Sequence, residues 1–173
     1  MRIPRGWLKR AGRCFGWLPL LLILLMAAVP ALAWQARVRS VPDGDSLTVE
    51  RAGRSYRIRL YGIDSPEYRQ PGWREARDFT RRLVSGRAVD IIPMDRDHYG
   101  RVVALVERGG VLVNRELVRH GHAWLYPRYC RTQGLCAELG VLQEAARKQR
   151  LGLWQGRPPL PPWKWRRLSK GRR

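Results

Sequence analysis

The 173-residue sequence contains no internal repeat and has few acidic residues, histidines or cysteines. The lack of a repeat excludes a repeat array, a collagen and a coiled coil. Only 14 Asp and Glu stand against 34 Lys and Arg, which gives a net charge of +20. A chain this basic binds polyanions: nucleic acid, anionic lipid or an acidic protein surface. Because 45 % of the residues are hydrophobic, the chain can form a core, and its length suits one domain with a tail at each end.

An uncharged apolar stretch, residues 17–33, follows a basic segment at the N-terminus. It closes with Ala31-Leu32-Ala33, the small-x-small pattern that signal peptidase recognises. A membrane-spanning helix needs about 20 apolar residues, and two prolines shorten this stretch. The sequence therefore predicts a signal peptide over 1–33, with an uncleaved membrane anchor as the alternative. Both predict an exported protein: periplasmic or secreted, or anchored and facing outside the cytoplasm.

Cysteine usage agrees with export. The predicted signal peptide contains Cys14, five basic residues and no acid, so the remaining chain keeps a net charge of +15. Cys130 and Cys136 remain as a pair with five residues between them, and such a pair usually forms a disulfide in an oxidising compartment. The alternatives are two free buried thiols or half of a metal site, for which only two histidines are nearby.

The body of the chain, residues 34–155, shows strand patterns first and helical patterns later. Alternating or β-rich runs predict five short strands at Val38–Val41, Ser46–Glu50, Tyr56–Ile63, Ala88–Ile92 and Arg101–Val106. Helical spacing predicts helices at Trp73–Val84, Val113–His120 and Ala137–Leu151. This content favours an α+β, mainly β fold: a five-stranded barrel of the oligonucleotide/oligosaccharide-binding (OB) type with about three helices.

The last stretch, residues 156–173, is rich in proline and then in basic residues, with seven Lys and Arg and no acid. We predict an extended tail that lies off the barrel. It serves either solubility or a non-specific attachment to polyanions, in which Trp163 and Trp165 are available for stacking.

The few acids cluster at turns and strand ends, which makes their positions informative. Asp43-Gly44-Asp45 and Asp64-Ser65-Pro66-Glu67 are each common turn sequences when taken alone. They occur in order with an arginine-containing strand, Arg57-Ile58-Arg59-Leu60-Tyr61-Gly62-Ile63, and with Asp97-His98-Tyr99-Gly100-Arg101. This ordered set closely resembles the staphylococcal nuclease (thermonuclease) family, and the resemblance runs from about Val38 to Trp154.

The resemblance implies an OB barrel that carries a calcium-dependent nuclease site. By position in the motifs, the implied catalytic residues are Arg59, Glu67 and Arg101. The implied calcium ligands are Asp45, Asp64 and the backbone carbonyl of Ser65, with Asp43 as an acid outside the direct ligand set. The implied substrate contacts are Tyr99 and Tyr129. A family tyrosine that precedes Tyr129 is replaced by Pro127 here, with Tyr126 one place away, which leaves base stacking by Tyr126 open.

The chemistry of these residue types supports the resemblance. A hard cation on oxygen ligands neutralises phosphoryl charge, and guanidinium groups bind phosphate in two-point contacts. One carboxylate can orient or deprotonate a water molecule. We therefore expect a weakly specific endonuclease that cleaves DNA and RNA, preferably single-stranded, and acts as a monomer. The competing interpretations are a non-catalytic nucleic-acid-binding barrel and a protein that binds membranes or partners through its basic tail.

Overall fold

The computed structural model describes residues 32–156 and 159–170, so residues 1–31 of the predicted signal peptide lie outside it. In the described part of the chain, no helix is long and apolar enough to cross a membrane. The strands are β1 (Trp34–Asp43), β2 (Ser46–Arg51), β3 (Arg54–Leu60), β4 (Ile63–Asp64), β5 (Ala88–Arg96), β6 (Val102–Arg108), β7 (Val111–Leu112) and β8 (Trp124–Leu125). The helices are α1 (Trp73–Val84), α2 (Val113–Arg119), α3 (Gln133–Lys148) and α4 (Pro162–Lys170), with 3₁₀ turns at Pro127–Tyr129 and Gly152–Trp154.

Five strands close into a barrel, which confirms the predicted fold. The antiparallel order is β3-β2-β1-β5-β6, and a parallel pairing of β3 with β6 closes the ring. Alternate residues of each strand point inward, as in Ile58 and Leu60 of β3, and form a core of Val, Ile, Leu and Ala side chains. The parallel register aligns Arg59 with Val103, so the start of β6 lies beside the outward-facing arginines of β3.

Helices α1 to α3 pack against the barrel, and α1 has the predicted bounds. Helix α3 begins four residues before the predicted start and ends three residues before the predicted end. Its first turn, at Gln133, precedes the apolar spacing on which the prediction depended. The chain leaves the helix after Lys148 because Arg150 adopts a left-handed conformation, with φ of 52°.

The predicted extended conformation of the tail is wrong over Pro162–Lys170, which forms helix α4. The prolines end where the helix begins, and Pro162 occupies the first helical position, where its missing N–H costs no hydrogen bond. The backbone N–H groups of Lys164 and Trp165 donate to Pro161 O at 2.9 and 3.0 Å. Pro162 is buried, so α4 packs against the rest of the fold.

The predicted disulfide between Cys130 and Cys136 is present and joins a 3₁₀ turn to the first turn of α3. The Tyr61 hydroxyl accepts hydrogen bonds from the N–H groups of Arg131 and Thr132, which lie within the closed loop. The disulfide and these hydrogen bonds fix the segment that carries Tyr126 and Tyr129 next to the barrel.

Candidate active site

The turn between β1 and β2 brings the first two acids of the site to one end of the barrel. The Asp45 N–H donates to Asp43 Oδ1 at 3.2 Å, so Asp43 stabilises the turn from within. Thr80 of α1 donates its hydroxyl to Gly44 O at 2.6 Å. A Cβ at Gly44 would lie 2.9 Å from the side chain of Ser65, so only glycine allows the turn to approach so closely. The Asp45 carboxylate consequently points into the interior, where 1 % of the residue is exposed.

Strand β4 supplies the third acid. Asp64 pairs with Trp124 of β8 and is fully buried. The next residue, Ser65, donates its backbone N–H to Asp45 Oδ2 at 2.6 Å, which ties the two acidic segments together. The sequence places Asp45 and Asp64 nineteen positions apart, and the barrel brings them into one site.

Arg59 of β3 bridges the two buried carboxylates. Its Nη1 donates to Asp45 Oδ1 and its Nη2 donates to Asp64 Oδ1. Burial alone would lower the pKa of Arg59, but Asp45 and Asp64 raise it overall, so the guanidinium stays charged. Burial raises the pKa of Asp45 well above its ordinary value, and the neighbouring carboxylates of Asp43 and Asp64 add to this, while Arg59 and the Ser65 N–H oppose it.

Glu67 lies at the solvent-facing side of the same site, on the loop after β4. Its backbone N–H donates to Gln70 Oε1 at 3.0 Å, and Gln70 is itself buried. Its carboxylate, with a 37 % exposed side chain, pairs with Arg166 of α4. Arg166 also forms a two-point contact with Asp64, with Nη2–Oδ2 and Nη1–Oδ1 distances of 2.9 and 3.2 Å. We refer to Asp43, Asp45, Asp64 and Glu67 as the acid cluster.

The acid cluster and its surroundings suit a hard cation. A metal site made only of His, Cys, Asp or Glu side chains needs at least three of them around one point. Residues 32–156 and 159–170 contain no such group. The predicted ligand set needs only the carboxylates of Asp45 and Asp64 and one backbone carbonyl, at Ser65. Cationic groups already converge on Asp64, and the buried Ser65 Oγ has no hydrogen-bond partner within the described residues. Oxygen donors of this kind are those that Ca²⁺ prefers.

Arg101 lies outside the acid cluster, in the turn that joins β5 to β6. Its Nε donates to Asp97 Oδ2 at 2.7 Å and its N–H to Asp97 Oδ1 at 2.9 Å. Its guanidinium lies 5.5 Å from the centre of the Tyr99 ring, and Tyr99 is 62 % exposed. Asp97 holds Arg101 and Tyr99 together at the surface, beside β3.

Tyr126 and Tyr129 form an aromatic pair with ring centres 4.8 Å apart. Tyr129 is exposed at the surface, as a contact to substrate requires. Tyr126 stacks on Trp163 of α4, with ring centres 5.0 Å apart and planes 7° from parallel. The structure therefore places Tyr126 next to the acid cluster through α4, a position that the motif alignment left open.

Sequence reasoning did not identify Arg166 as part of the site. It is one of seven basic residues in the tail, and it lies about 100 positions from Asp64 and Glu67. One signal was available: the spacing of three between Trp163 and Arg166 places both on one face of a helix.

Comparison with known proteins agrees with this geometry. The family described as Staphylococcal nuclease homologue matches residues 57–156. An "Uncharacterized endonuclease" of Escherichia coli is 39 % identical over 151 residues, which cover 87 % of this chain and 96 % of the relative. A "Micrococcal nuclease" of Shigella flexneri is 34 % identical over 158 residues, which cover 86 % of this chain and 90 % of the relative. A staphylococcal-like nuclease of Arabidopsis thaliana is 36 % identical over 122 residues, which cover 70 % of this chain but 36 % of the longer relative.

The family match extends over more than half of the chain, and it includes Arg59, Asp64, Glu67 and Arg101. The bacterial relatives also align along nearly their whole length. With its closed five-stranded barrel and this extent of similarity, the chain belongs to the staphylococcal nuclease family.

Proposed function

We propose that this member of a nuclease family is a calcium-dependent endonuclease of weak sequence specificity. It hydrolyses phosphodiester bonds of DNA and RNA, preferably single-stranded, by attack of water at phosphorus. The observation that carries the proposal is the convergence of Asp45, Asp64 and Arg59 at one end of the barrel, with Glu67 at the solvent-facing side.

The residues that would hold the calcium ion are Asp45, Asp64 and the carbonyl group of Ser65. When bound, the ion supplies positive charge that neutralises the phosphoryl oxygens and stabilises the charge that develops on them. Asp43 supports this set indirectly, because it orders the turn that aims Asp45 inward.

The chain's own groups perform the remaining steps. Arg59 remains charged at any working pH and presents N–H donors to a phosphate bound beside the acid cluster. Arg101 approaches the same phosphate from the neighbouring turn, where Asp97 orients it. Glu67 is exposed enough to contact water, and its carboxylate accepts the proton as the water attacks phosphorus. As the new bond forms, the bond between phosphorus and the leaving sugar oxygen breaks, and that oxygen takes up a proton from solvent.

Weak specificity follows from the composition of the surface around the site. Tyr99 and Tyr129 are exposed and present ring faces, on which any base can stack. The net charge of +15 on residues 34–173 attracts the phosphate backbone whatever its sequence. A single strand suits such a surface, because its bases are free to stack.

The proposal places the enzyme outside the cytoplasm as a monomer, periplasmic or secreted after cleavage of the signal peptide, or anchored through the N-terminus. The disulfide between Cys130 and Cys136 supports an oxidising compartment. Anchoring would associate the enzyme with the membrane surface and leave the barrel free to reach nucleic acid.

The test is cleavage of single-stranded DNA and RNA by the purified protein in calcium or in a calcium chelator. We expect endonucleolytic fragments in calcium and none in the chelator. Glu67→Gln should abolish most of the activity, because the general base contributes about 10²- to 10⁴-fold. The matched control is Glu144→Gln, which removes an exposed carboxylate on α3 that pairs with Arg147. Binding without cleavage in calcium would contradict the proposal and favour a non-catalytic nucleic-acid-binding barrel.

A further inference from the structure

The C-terminal segment 160–170, which includes helix α4, covers the candidate active site at three points. Arg166 contacts both oxygens of Asp64 and one oxygen of Glu67. Trp163 stacks on Tyr126. Ahead of the helix, Leu160 O accepts a hydrogen bond of 2.6 Å from Gln70, the buried side chain that also holds the Glu67 loop. The C-terminal segment therefore contacts the site through charge, aromatic stacking and the backbone.

Arg166 occupies the carboxylate oxygens that a calcium ion bound to Asp64 would use. Asp64 is fully buried, and its two oxygens are shared between Arg59 and Arg166. Both oxygens accept hydrogen bonds from Arg166, so a calcium ion that uses Asp64 competes with these bonds. The Arg166 guanidinium therefore supplies positive charge beside the Asp64 carboxylate, as a bound metal ion would.

The same side chain engages Glu67. Arg166 donates a hydrogen bond to one oxygen of the Glu67 carboxylate, so that oxygen is already occupied. With Arg166 in place, the Glu67 carboxylate is less accessible to an attacking water.

The stack of Trp163 on Tyr126 resembles the contact that a nucleobase makes with an aromatic side chain. The parallel rings cover one face of Tyr126. The Arg166 guanidinium lies 6.0 Å from the centre of the same ring. One face of the helix therefore places both a guanidinium and an indole against Tyr126. A base of an incoming single strand that stacked on this face of Tyr126 would have to displace Trp163.

We propose that α4 is an internal inhibitor, in which Arg166 competes with calcium for Asp64 and Trp163 competes with a base for Tyr126. The inference rests on the proposed function, since it assigns a regulator to that site. Release requires calcium, nucleic acid or both, and the phosphates of a bound strand attract the basic residues of the displaced helix. Such a device keeps the enzyme inactive until its ligands are abundant.

The test compares wild type, Arg166→Ala and Trp163→Ala, with Arg167→Ala as the matched control. Arg167 carries the same charge on the same helix, is exposed, and forms no ion pair within the described residues. Isothermal titration with calcium chloride, without nucleic acid, gives the dissociation constant of each protein. We expect Arg166→Ala to bind calcium about 5- to 150-fold more tightly than wild type, the range of typical coupling between two sites. Arg167→Ala should match wild type.

Two further measurements complete the test. In wild type, hydrogen exchange of the amides of residues 163–170 should accelerate when calcium is added, because the helix leaves the site. In cleavage of single-stranded DNA, Arg166→Ala should reach half of its maximal rate at lower calcium, with a maximal rate at least equal to that of wild type. Trp163→Ala should lower the concentration of DNA needed for half-saturation.

The outcomes separate this inference from the proposed function. Equal calcium affinity in wild type and Arg166→Ala, with normal cleavage, overturns the inference alone. A lower maximal rate of Arg166→Ala in saturating calcium also overturns it, because Arg166 would then assist the reaction. If no protein cleaves nucleic acid but Arg166→Ala binds calcium more tightly, the proposed function fails and the competition at Asp64 stands. Binding of calcium to none of the proteins overturns both.

Discussion

Two arginines of the candidate site, Arg59 and Arg101, are held in different ways by two regions of the molecule. Arg59 lies at the end of the barrel, where it bridges two carboxylates that are almost fully buried. Arg101 lies in the β5–β6 turn, where it pairs with Asp97 four positions earlier and remains 28 % exposed. The position of Arg59 depends on tertiary packing, and that of Arg101 depends on a local turn.

Under the proposed function, both arginines bind the same phosphate, but only Arg59 is also part of the buried charge network that stabilises the fold. In the acid cluster, each charge is needed to offset the desolvation of the others, so fold and function depend on the same residue. In the turn, water solvates whatever charge is left unpaired, so function can be lost while the fold is retained. Substitutions in the two regions should therefore separate stability from activity.

The largest expected effect is that of Arg59→Ala. The substitution leaves Asp45 and Asp64 buried without the cation that bridges them, which typically costs about 3–5 kcal/mol of unfolding free energy. Urea unfolding in a chelator measures this loss. Calcium should restore part of it, because a ligand that binds only the folded state stabilises that state.

Arg57→Ala is the matched control for Arg59→Ala. Arg57 lies two residues earlier on the same strand, is exposed, and donates to the backbone oxygen of Tyr99. Its removal should change stability by less than about 1 kcal/mol. Equal destabilisation by the two substitutions would show that the buried bridge has no special role.

The second prediction concerns Arg101→Ala, which should lower kcat by about 10²- to 10³-fold, the usual effect of losing one donor that stabilises the transition state. The unfolding free energy should change by less than about 1 kcal/mol, because the pair with Asp97 is partly exposed. Steady-state cleavage and urea unfolding of the same preparation measure both quantities. Arg96→Ala, which removes an exposed arginine at the end of β5 that contacts the same turn, should keep full activity. Near-normal turnover of Arg101→Ala would remove Arg101 from the catalytic set.

The barrel could be predicted from the sequence because its signals are local. The alternation in Ser46–Glu50 and in the β3 segment identifies strands with one buried face, and the structure confirms both. The ordered motifs around Asp45, Asp64 and Arg59 indicated one site through a family resemblance. Their convergence itself arises from strand pairing and could not be read from spacing along the chain.

Helix α4 could not be predicted in the same way. Its basic and proline-rich composition is typical of an exposed tail, and its helix is stabilised by distant contacts to Asp64, Glu67 and Tyr126. Several arginines of the tail have the same charge, and any of them could pair with a buried carboxylate. The composition of the tail does not indicate which arginine forms the pair. The start of α3 at Gln133 likewise lies before its apolar pattern.

His120 and His122 offer a second comparison between an exposed and a more buried position. His120 and His122 both pack against Phe79, with ring centres 5.0 and 4.4 Å away. Burial, followed by the nearby charges of His120 and Arg82, lowers the pKa of His122 to about 4. The Nδ1 atom of His122 is buried and lacks a hydrogen-bond partner among the described residues. The folded protein therefore favours neutral His122.

The third prediction follows from this shift. Between pH 6.5 and about 4 the unfolded chain binds a proton at His122 that the folded chain does not, so stability decreases as the pH falls through this window. With allowance for partial solvent exposure, the contribution lost is about 1–2 kcal/mol. Urea unfolding at pH 7 and pH 5 should show a smaller loss for His122→Asn than for wild type. His120→Asn should retain the wild-type loss, and an unchanged pH dependence in His122→Asn would contradict the shift.

The smallest expected effect is that of Asp97→Asn, which removes a charge from the exposed turn and keeps its shape. Burial would raise the pKa of Asp97, but the hydrogen bonds and charge of Arg101 lower it overall. The carboxylate therefore contributes stability above its unfolded pKa, near 3.9, and this contribution is lost as the pH falls through the lower folded value. Because the pair with Arg101 is partly exposed, Asp97→Asn should cost less than about 1 kcal/mol at pH 7.

The activity of Asp97→Asn sharpens the comparison with Arg59. The amide oxygen that this substitution introduces would still accept the N–H groups of Tyr99 and Arg101, but the charged partner of the Arg101 guanidinium is gone. Loss of a charge-assisted hydrogen bond that orients Arg101 should lower kcat about tenfold, which corresponds to about 1.4 kcal/mol. Asp95→Asn is the matched control and should keep kcat unchanged, because Asp95 lies in β5, two residues before Asp97, and pairs only with a neighbouring N–H. If Asp97→Asn instead unfolded the protein as readily as Arg59→Ala, the turn would be as dependent on tertiary packing as the acid cluster, and the distinction between the two regions would fail.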